Sequence, residues 1–363
     1  METGNFHFVM FPWLAIGHLI PFLHLSRSLA ERGHRVSFIS TPKNLQRLPQ
    51  IPSDFSYLID LVSIPLPSVE NLPDNAESSM DIPHKKAQFL KIAFDLLQLP
   101  ITSFLEKTSP KPDWIIYDYA SHWMPQLASK FGIPTSFFSL FNAANLAFIG
   151  PPSIILSGEV VRSKAEDFAV VPKWFPFSST IAYRVHEVLK YVDGSAGNNE
   201  SGTDDTTRFG VSVDACDIVL VRTSIDFEPE YFNLLSELYK KPTLSLGFLP
   251  PPVDDSVTND DSTWTEIRDW LDNKKERSVV YVALGTEATL DQKEMEQLAL
   301  GLEQCGVPFF WVVRKPPGST EDVSEMILKG FAESTGKNGV IYKGWVPQVK
   351  ILSHPAIGGF LTH

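Results

Sequence analysis

FHFVMFPWLAIGHLIPFLHLSRSLAERGHRVSFIS, residues 6–40, decides the fold. Its first six residues form a continuous apolar run of strand length, and its last six, Arg35–Ser40, form a second one. Between them Leu19, Phe22, Leu23, Leu29 and Ala30 recur at helical spacing. Arg27, Glu31 and Arg32 fall elsewhere on that helix, and Gly33 supplies a C-terminal stop. Strand, loop, helix, glycine and strand in this order make a βαβ unit, whose right-handed crossover requires a parallel pair.

The same grammar recurs outward from there. DWIIYD (113–118) leads through a helix at Gln126–Lys130 and the turn GIP to the strand TSFFSL (135–140), and DIVLV (217–221) and TLSLGF (243–248) read as further strands. Residues 193–207, DGSAGNNESGTDDTT, have almost no apolar side chain and read as a mobile surface loop. LPPPVDDSVTNDDST, Leu249 to Thr263, is stiffened by three consecutive prolines and solvated by acidic residues, as a linker is. A new α/β pattern follows it: a helix near Trp264–Asp272, the strand SVVYVALG (278–285), and a helix with Met295, Leu298 and Leu302 on one face. Three more strands follow, FFWVV (309–313), GVIYKG (339–344) and Ile357–Leu361, the last written for burial on both faces. The expected organisation is an N-terminal domain at 1–248, a linker at 249–263 and a second domain at 264–363. Both are doubly wound and Rossmann-like, with a ligand cleft where the carboxyl ends of the two sheets face each other.

Composition excludes several functions. With 363 residues, 43% apolar and 20% charged, the chain is long enough for two ordinary cores. A net charge of -12 without a dense basic run opposes a nucleic-acid partner. Cys216 and Cys305, far apart, read as two buried small hydrophobes in a reducing compartment. No Lys or Arg precedes Arg27, so the apolar start lacks the basic region of a signal peptide, and Pro134, Asn142, Asn145, Pro151 and Pro152 interrupt the one long apolar stretch. The expected location is the cytoplasm, with no membrane span.

Two residues stand where chemistry is done in such sheets. His18 lies in the loop leaving the first strand, and Asp118 ends the strand WIIYD; both fall at the carboxyl rim of one sheet. A carboxylate that fixes the imidazole tautomer makes a dyad able to deprotonate a hydroxyl. The alternative for Asp118 is a cap on the next helix. No G-x-G-x-x-G follows the first strand, no P-loop occurs, and no His, Cys or carboxylate set has metal spacing. Phosphate would then be held at helix N-termini and by hydroxyls, and LGTEAT offers Gly285 for close backbone approach and Thr286 for its hydroxyl.

FPWLAIGHLIPFLHLSRSLAERGHRVSFIST (11–41), VVYVALGT (279–286) and GWVPQVKILSHPAIGGFLTH (344–363) together resemble the plant family-1 UDP-sugar-dependent glycosyltransferases, over essentially the whole chain. The resemblance implies a GT-B fold, an acceptor-binding first domain, a UDP-sugar-binding second domain, and inverting transfer without a metal or other cofactor. His18 would be the base and Asp118 its orienting partner. Trp345 would stack on uracil, Val346 would meet it through its backbone, Gln348 would contact the nucleoside, and His363 would bind the diphosphate. Thr286 stands where many members of the family carry Ser and keeps the hydroxyl.

The family's signature box continues beyond the position of His363, so the second domain is expected to be truncated and these 363 residues to turn over weakly. The intact protein is expected to be a monomer. Trp13, Leu14, Ile16, Phe89, Phe94, Tyr119, Phe141 and Asn142 are placed to line an apolar acceptor pocket. That lining fits a phenolic, a flavonoid, a triterpenoid or one of their glycosides, with UDP-glucose or UDP-rhamnose as donor. The first motif also resembles the rhamnosyltransferase-like branch. Two rivals are a non-catalytic paralogue that binds a hydrophobic small molecule and a sugar-nucleotide epimerase.

Overall fold

The computed structural model describes residues 4–157, 162, 164–189, 200–250, 262–285, 290–314, 331 and 336–362. It divides into two compact units, Met1–Pro250 and Pro251–His363.

The first unit is built on seven strands: β1 (His7–Phe11), β2 (Arg35–Ser40), β3 (Ile59–Ser63), β4 (Trp114–Tyr117), β5 (Thr135–Ser139), β6 (Ile218–Val221) and β7 (Thr243–Ser245). Their order is β3-β2-β1-β4-β5-β6-β7, and every neighbouring pair is parallel. A parallel sheet is covered on both faces, so its central strands are apolar at successive positions. Val9, Phe11, Ile115, Tyr117 and Phe137 enter one core layer, while Met10, Phe38, Ile116 and Phe138 enter the other with Leu19, Phe22 and Leu23 of the helix Ile16–Ala30. Chain order reverses between β1 and β4: from β1 the sheet grows through β2 to β3, and from β4 it grows the other way. That reversal opens a crevice at the carboxyl ends of β1 and β4.

Three details differ from the sequence reading. Strand β3 escapes it because only Ile59 is buried, Asp60 and Leu61 facing solvent as an edge strand permits. The stretch read as a loop to Thr207 already contains the start of a helix, Asp205–Ala215, whose N-cap Asp204 accepts from the Thr207 N–H at 2.9 Å. Residues 193–199 lie outside the described residues. Cys216 is buried as expected, whereas Cys305 is exposed, because it follows the helix Gln292–Gln304 at its C-terminal end.

The second unit carries β8 (Val279–Ala283), β9 (Phe309–Val313), β10 (Gly339–Lys343) and β11 (Ile357–Leu361) in the order β10-β9-β8-β11, again all parallel. Ile267 and Leu271 of the helix Ser262–Asp272 cover one face with Tyr281 and Phe310, and Met295, Ala299 and Leu302 cover the other with Phe309 and Trp311. Strand β11 shifts register between Ile357 and Gly359, and Gly358 at that irregularity lies against Arg277, where a Cβ would stand 2.2 Å from the Arg277 carbonyl oxygen. The glycine is therefore required by close backbone approach. The outer end of β11 is less buried than its sequence suggests, with Phe360 41% and Leu361 40% exposed. Phe360 is nonetheless stacked on Tyr281 at 5.2 Å. Residues 251–261 of the expected linker lie outside the described residues.

Candidate active site

The carboxyl ends of β1 and β4 deliver the two residues of the expected dyad to the crevice of the first unit. β1 ends at Phe11, and the chain turns through Pro12–Ala15 into the helix Ile16–Ala30. That turn is pinned through the Leu14 carbonyl, which accepts from the Ser79 N–H at 2.9 Å and the Ser78 hydroxyl at 3.0 Å. His18 stands in the first helical turn, and Asp118 directly follows β4.

His18 Nδ1 lies 2.8 Å from Asp118 Oδ2. The carboxylate is 2% exposed, and its capacity is taken up by N–H donors: Oδ2 also accepts from the Trp13 N–H at 2.6 Å and Oδ1 from the Ala120 N–H at 3.1 Å. A carboxylate that accepts on both oxygens from fixed amides has one role left at Oδ2, as acceptor for His18. Nδ1 is thus the ring nitrogen that donates, and in the neutral ring Nε2 is the one without a proton. Tyr119 brackets the ring at 5.8 Å between centroids, and Trp13 packs at 6.5 Å from Tyr119.

The other acceptor-side candidates separate into groups. Leu14 and Phe94 have no exposed surface; Phe94 stacks on Phe11 at 4.9 Å and meets Trp13 edge-on at 5.1 Å, so both are core residues here. Ile16 and Phe89 are half-buried. Phe141 is exposed, and Asn142 caps the helix Ala143–Ile149 by accepting from the Asn145 N–H. Asn142 also lines a cavity of about 250 Å³ with Asn145, Phe148, Ile181 and Tyr183. There the Tyr183 hydroxyl donates to Asn145 Oδ1 at 3.2 Å.

In the second unit the rim is formed by Gly285 after β8, Arg314 after β9 and Gly344-Trp345 after β10. Gly285 and Gly344 adopt φ of 86° and 110°, which their lack of a Cβ permits. Trp345 is 57% exposed, and the Arg314 guanidinium lies 4.0 Å from its ring centroid, a cation–π contact on one face. Val346 packs against the core and Gln348 opens the short helix Gln348–Leu352, its N–H donating to the Val346 carbonyl at 2.8 Å. Thr286 and His363 lie outside the described residues.

Arg314 and Arg208 were not singled out from sequence. Arg314 had a signal, since it directly follows a buried strand at the carboxyl rim. Arg208 had none. It is a fully buried cation in the helix Asp205–Ala215, joined to Asp95 by Nη1 at 2.8 Å and Nη2 at 2.5 Å. Its partners come from three separate parts of the chain, at Asp95, in the loop after β4 and at Thr203.

Two doubly wound parallel α/β units in succession make the GT-B fold of nucleotide-sugar-dependent glycosyltransferases. Residues 253–363 match the family model described as UDP-glucoronosyl and UDP-glucosyl transferase. UDP-glycosyltransferase 91C1 of Arabidopsis thaliana is 53% identical over 357 residues, a match covering 98% of this chain and 75% of that protein. Soyasaponin III rhamnosyltransferase of Glycine max is 37% identical, covering 98% and 74%. Among solved structures, Arabidopsis thaliana UGT89C1 complexed with UDP-L-rhamnose aligns with a TM-score of 0.71 at 24% identity, covering 99% of this chain and 75% of that one. TcCGT1 in complex with UDP aligns at 0.76 and 22%, covering 99% and 77%. This chain belongs to the plant family-1 UDP-glycosyltransferases.

Proposed function

We propose that the protein transfers a sugar from a UDP-sugar to a hydroxyl of a hydrophobic plant small molecule, with inversion at the anomeric carbon and no metal ion. The observation that carries this reading is the 2.8 Å contact of His18 Nδ1 with the buried Asp118 carboxylate, which fixes Nδ1 as the donor and leaves Nε2 as the nitrogen to meet an acceptor hydroxyl. Nε2 accepts the acceptor's hydroxyl proton as the oxygen attacks the anomeric carbon; the carbon–oxygen bond to UDP breaks from the opposite face, and UDP leaves with the bonding pair. Asp118 stabilises the imidazolium formed in that step and holds the ring in the productive tautomer.

On the acceptor side, Trp13 and Tyr119 flank the dyad with aromatic surface, and the cavity at Asn142 adds polar groups beside Phe148 and Ile181. That mixture suits a flat phenolic or triterpenoid, free or carrying a sugar. The name of the Glycine max relative, a rhamnosyltransferase acting on soyasaponin III, supports the glycoside end of this range, with UDP-rhamnose or UDP-glucose as donor. On the donor side, Trp345 takes uracil on the ring face opposite Arg314, with Gly285, Thr286, Val346, Gln348 and His363 as further contacts. No helix among the described residues is long and apolar enough to cross a membrane, and a cytoplasmic enzyme fits that.

The test is His18→Ala in the full-length protein, with UDP release measured against a phenolic acceptor and acceptor binding measured separately. Loss of transfer with acceptor affinity retained is the expected result. Unchanged transfer would remove His18 as the base.

A further inference from the structure

The loop that carries Asp118 is held by side chains of the helix Asp205–Ala215, above all by Arg208. Arg208 is fully buried, and its guanidinium makes four fixed bonds. Nε donates to the Thr203 carbonyl at 3.1 Å, Nη1 to the Ala120 carbonyl at 2.9 Å and to Asp95 Oδ1 at 2.8 Å, and Nη2 to Asp95 Oδ2 at 2.5 Å. The Ala120 residue that receives Arg208 through its carbonyl is the one whose N–H holds Asp118 Oδ1. One turn further along the same helix, the Ser212 hydroxyl donates to the Tyr119 carbonyl at 3.1 Å. Consecutive carbonyls of the loop after β4 are therefore tied to one helix face, while the other end of the arginine is tied to Asp95, which also accepts from Trp123 Nε1 at 3.1 Å. His122 Nδ1 lies 3.2 Å from Nη1, and its imidazole is held below its ordinary pKa, first by burial and then by that cation.

An ion pair to Asp95 alone would explain a buried arginine. It does not explain the fork geometry, in which Nη1 divides between the carboxylate and a loop carbonyl at comparable distance. We propose that Arg208 is a positioning residue for the His18–Asp118 pair: by holding the 120–121 peptide through the Ala120 carbonyl it restrains the backbone of Ala120, and with it the preceding peptide, which Ser212 fixes at the Tyr119 carbonyl and whose N–H orients the Asp118 carboxylate toward His18 Nδ1. This rests on the reading of His18 as the base, and the test separates the two.

The test compares the parent with Arg208→Met/Asp95→Asn. This double variant removes both charges together, so that no unpaired ion stays buried, and keeps an oxygen for Trp123 Nε1. In protein labelled with ¹⁵N-histidine, the His18 ring, assigned by its disappearance in His18→Ala, reports its tautomer directly. The parent is expected to show only the Nδ1–H form and the double variant a mixture with Nε2–H. In the full-length protein kcat is expected to fall about 10- to 100-fold while both KM values stay within about threefold, as a misaligned base predicts. Arg208→Lys, which keeps the charge against Asp95 but not the fork, is expected to show the same two changes at smaller amplitude; it carries the test if the double variant does not fold. A folded variant with His18 still wholly Nδ1–H and kcat within about threefold of the parent overturns the proposal. If His18→Ala leaves transfer unchanged, it is the base assignment that fails, whereas loss in His18→Ala with no effect of either Arg208 variant rejects the positioning role alone.

Discussion

Asp118→Asn is the substitution whose outcome the geometry constrains most tightly. Asp118 Oδ2 accepts two donors, the Trp13 N–H at 2.6 Å and His18 Nδ1 at 2.8 Å, while Oδ1 accepts one, the Ala120 N–H at 3.1 Å. An asparagine placed with its oxygen at the Oδ2 position keeps two of the three bonds and turns its amide toward the Ala120 N–H, the longest contact. The reverse orientation would set its amide against Trp13 and force His18 to accept at Nδ1, so the first is preferred and the tautomer survives. What is lost is the charge opposite the imidazolium. Unit charges about 4 Å apart in an effective dielectric of about 20 interact by about 4 kcal/mol. The His18 side chain is 24% exposed, which reduces that through solvent screening to about 2–4 kcal/mol. At about 1.36 kcal/mol per decade, kcat should fall about 30- to 1,000-fold, with acceptor and donor KM nearly unchanged because the charge matters only once the proton has moved. The assay is UDP release by the full-length protein with quercetin as acceptor probe and whichever of UDP-glucose and UDP-rhamnose the parent uses, alongside the thermal midpoint of unfolding. A folded Asp118→Asn protein with kcat within about threefold of the parent, or one altered only in KM, refutes the dyad.

Other perturbations test the second unit and the cores. Trp345→Ala should weaken UDP binding about 5- to 150-fold by titration calorimetry, the loss of one stacking face worth about 1–3 kcal/mol, and Arg314→Gln should weaken it less. Gly358→Ala should lower the stability of the second unit by about 1–3 kcal/mol in urea unfolding, because its Cβ would meet the Arg277 backbone. Burial pushes the Cys216 thiol from its ordinary 9.0 up to about 11. The unfolded chain therefore releases that proton first, so the thiol's contribution is fully present below pH 9 and is lost as pH rises to about 11. The amount is about 2–3 kcal/mol at 1.36 kcal/mol per unit, and Cys216→Ala should flatten that part of the alkaline stability curve. In the native protein at pH 8, iodoacetamide should label Cys305 and spare Cys216, read by peptide mass spectrometry.

Much of this protein is written locally. Residues 6–40 specify strand, helix and strand because a parallel strand covered on both faces needs an unbroken apolar run, and the helix between needs one apolar stripe. Ten of the strands follow from such runs, within a residue or a few at each end; β3 does not, because at an edge only Ile59 is buried and the pattern weakens. The placing of His18 and Asp118 was legible for the same reason, His18 lying in the first helical turn after β1 and Asp118 directly past β4, at the rim where parallel sheets present their ligands. Trp345, exposed beside Arg314, is proposed for the donor through the family motif around it.

What the linear sequence leaves open is which distant groups meet. Phe94 reads as well placed for a pocket, yet it is buried on Phe11, and that depends on how the helix Ala87–Asp95 docks. Arg208 looks like a polar residue at the start of a helix after an acidic loop. Only the packing of that helix against the loop after β4 makes it a buried cation with partners at positions 95, 120 and 203. The division has a physical basis: periodicity records whether a side chain faces water or the interior, and that is fixed by nearest neighbours along the chain. Hydrogen-bond satisfaction of a buried charge is fixed by groups that tertiary packing alone brings within about 3 Å.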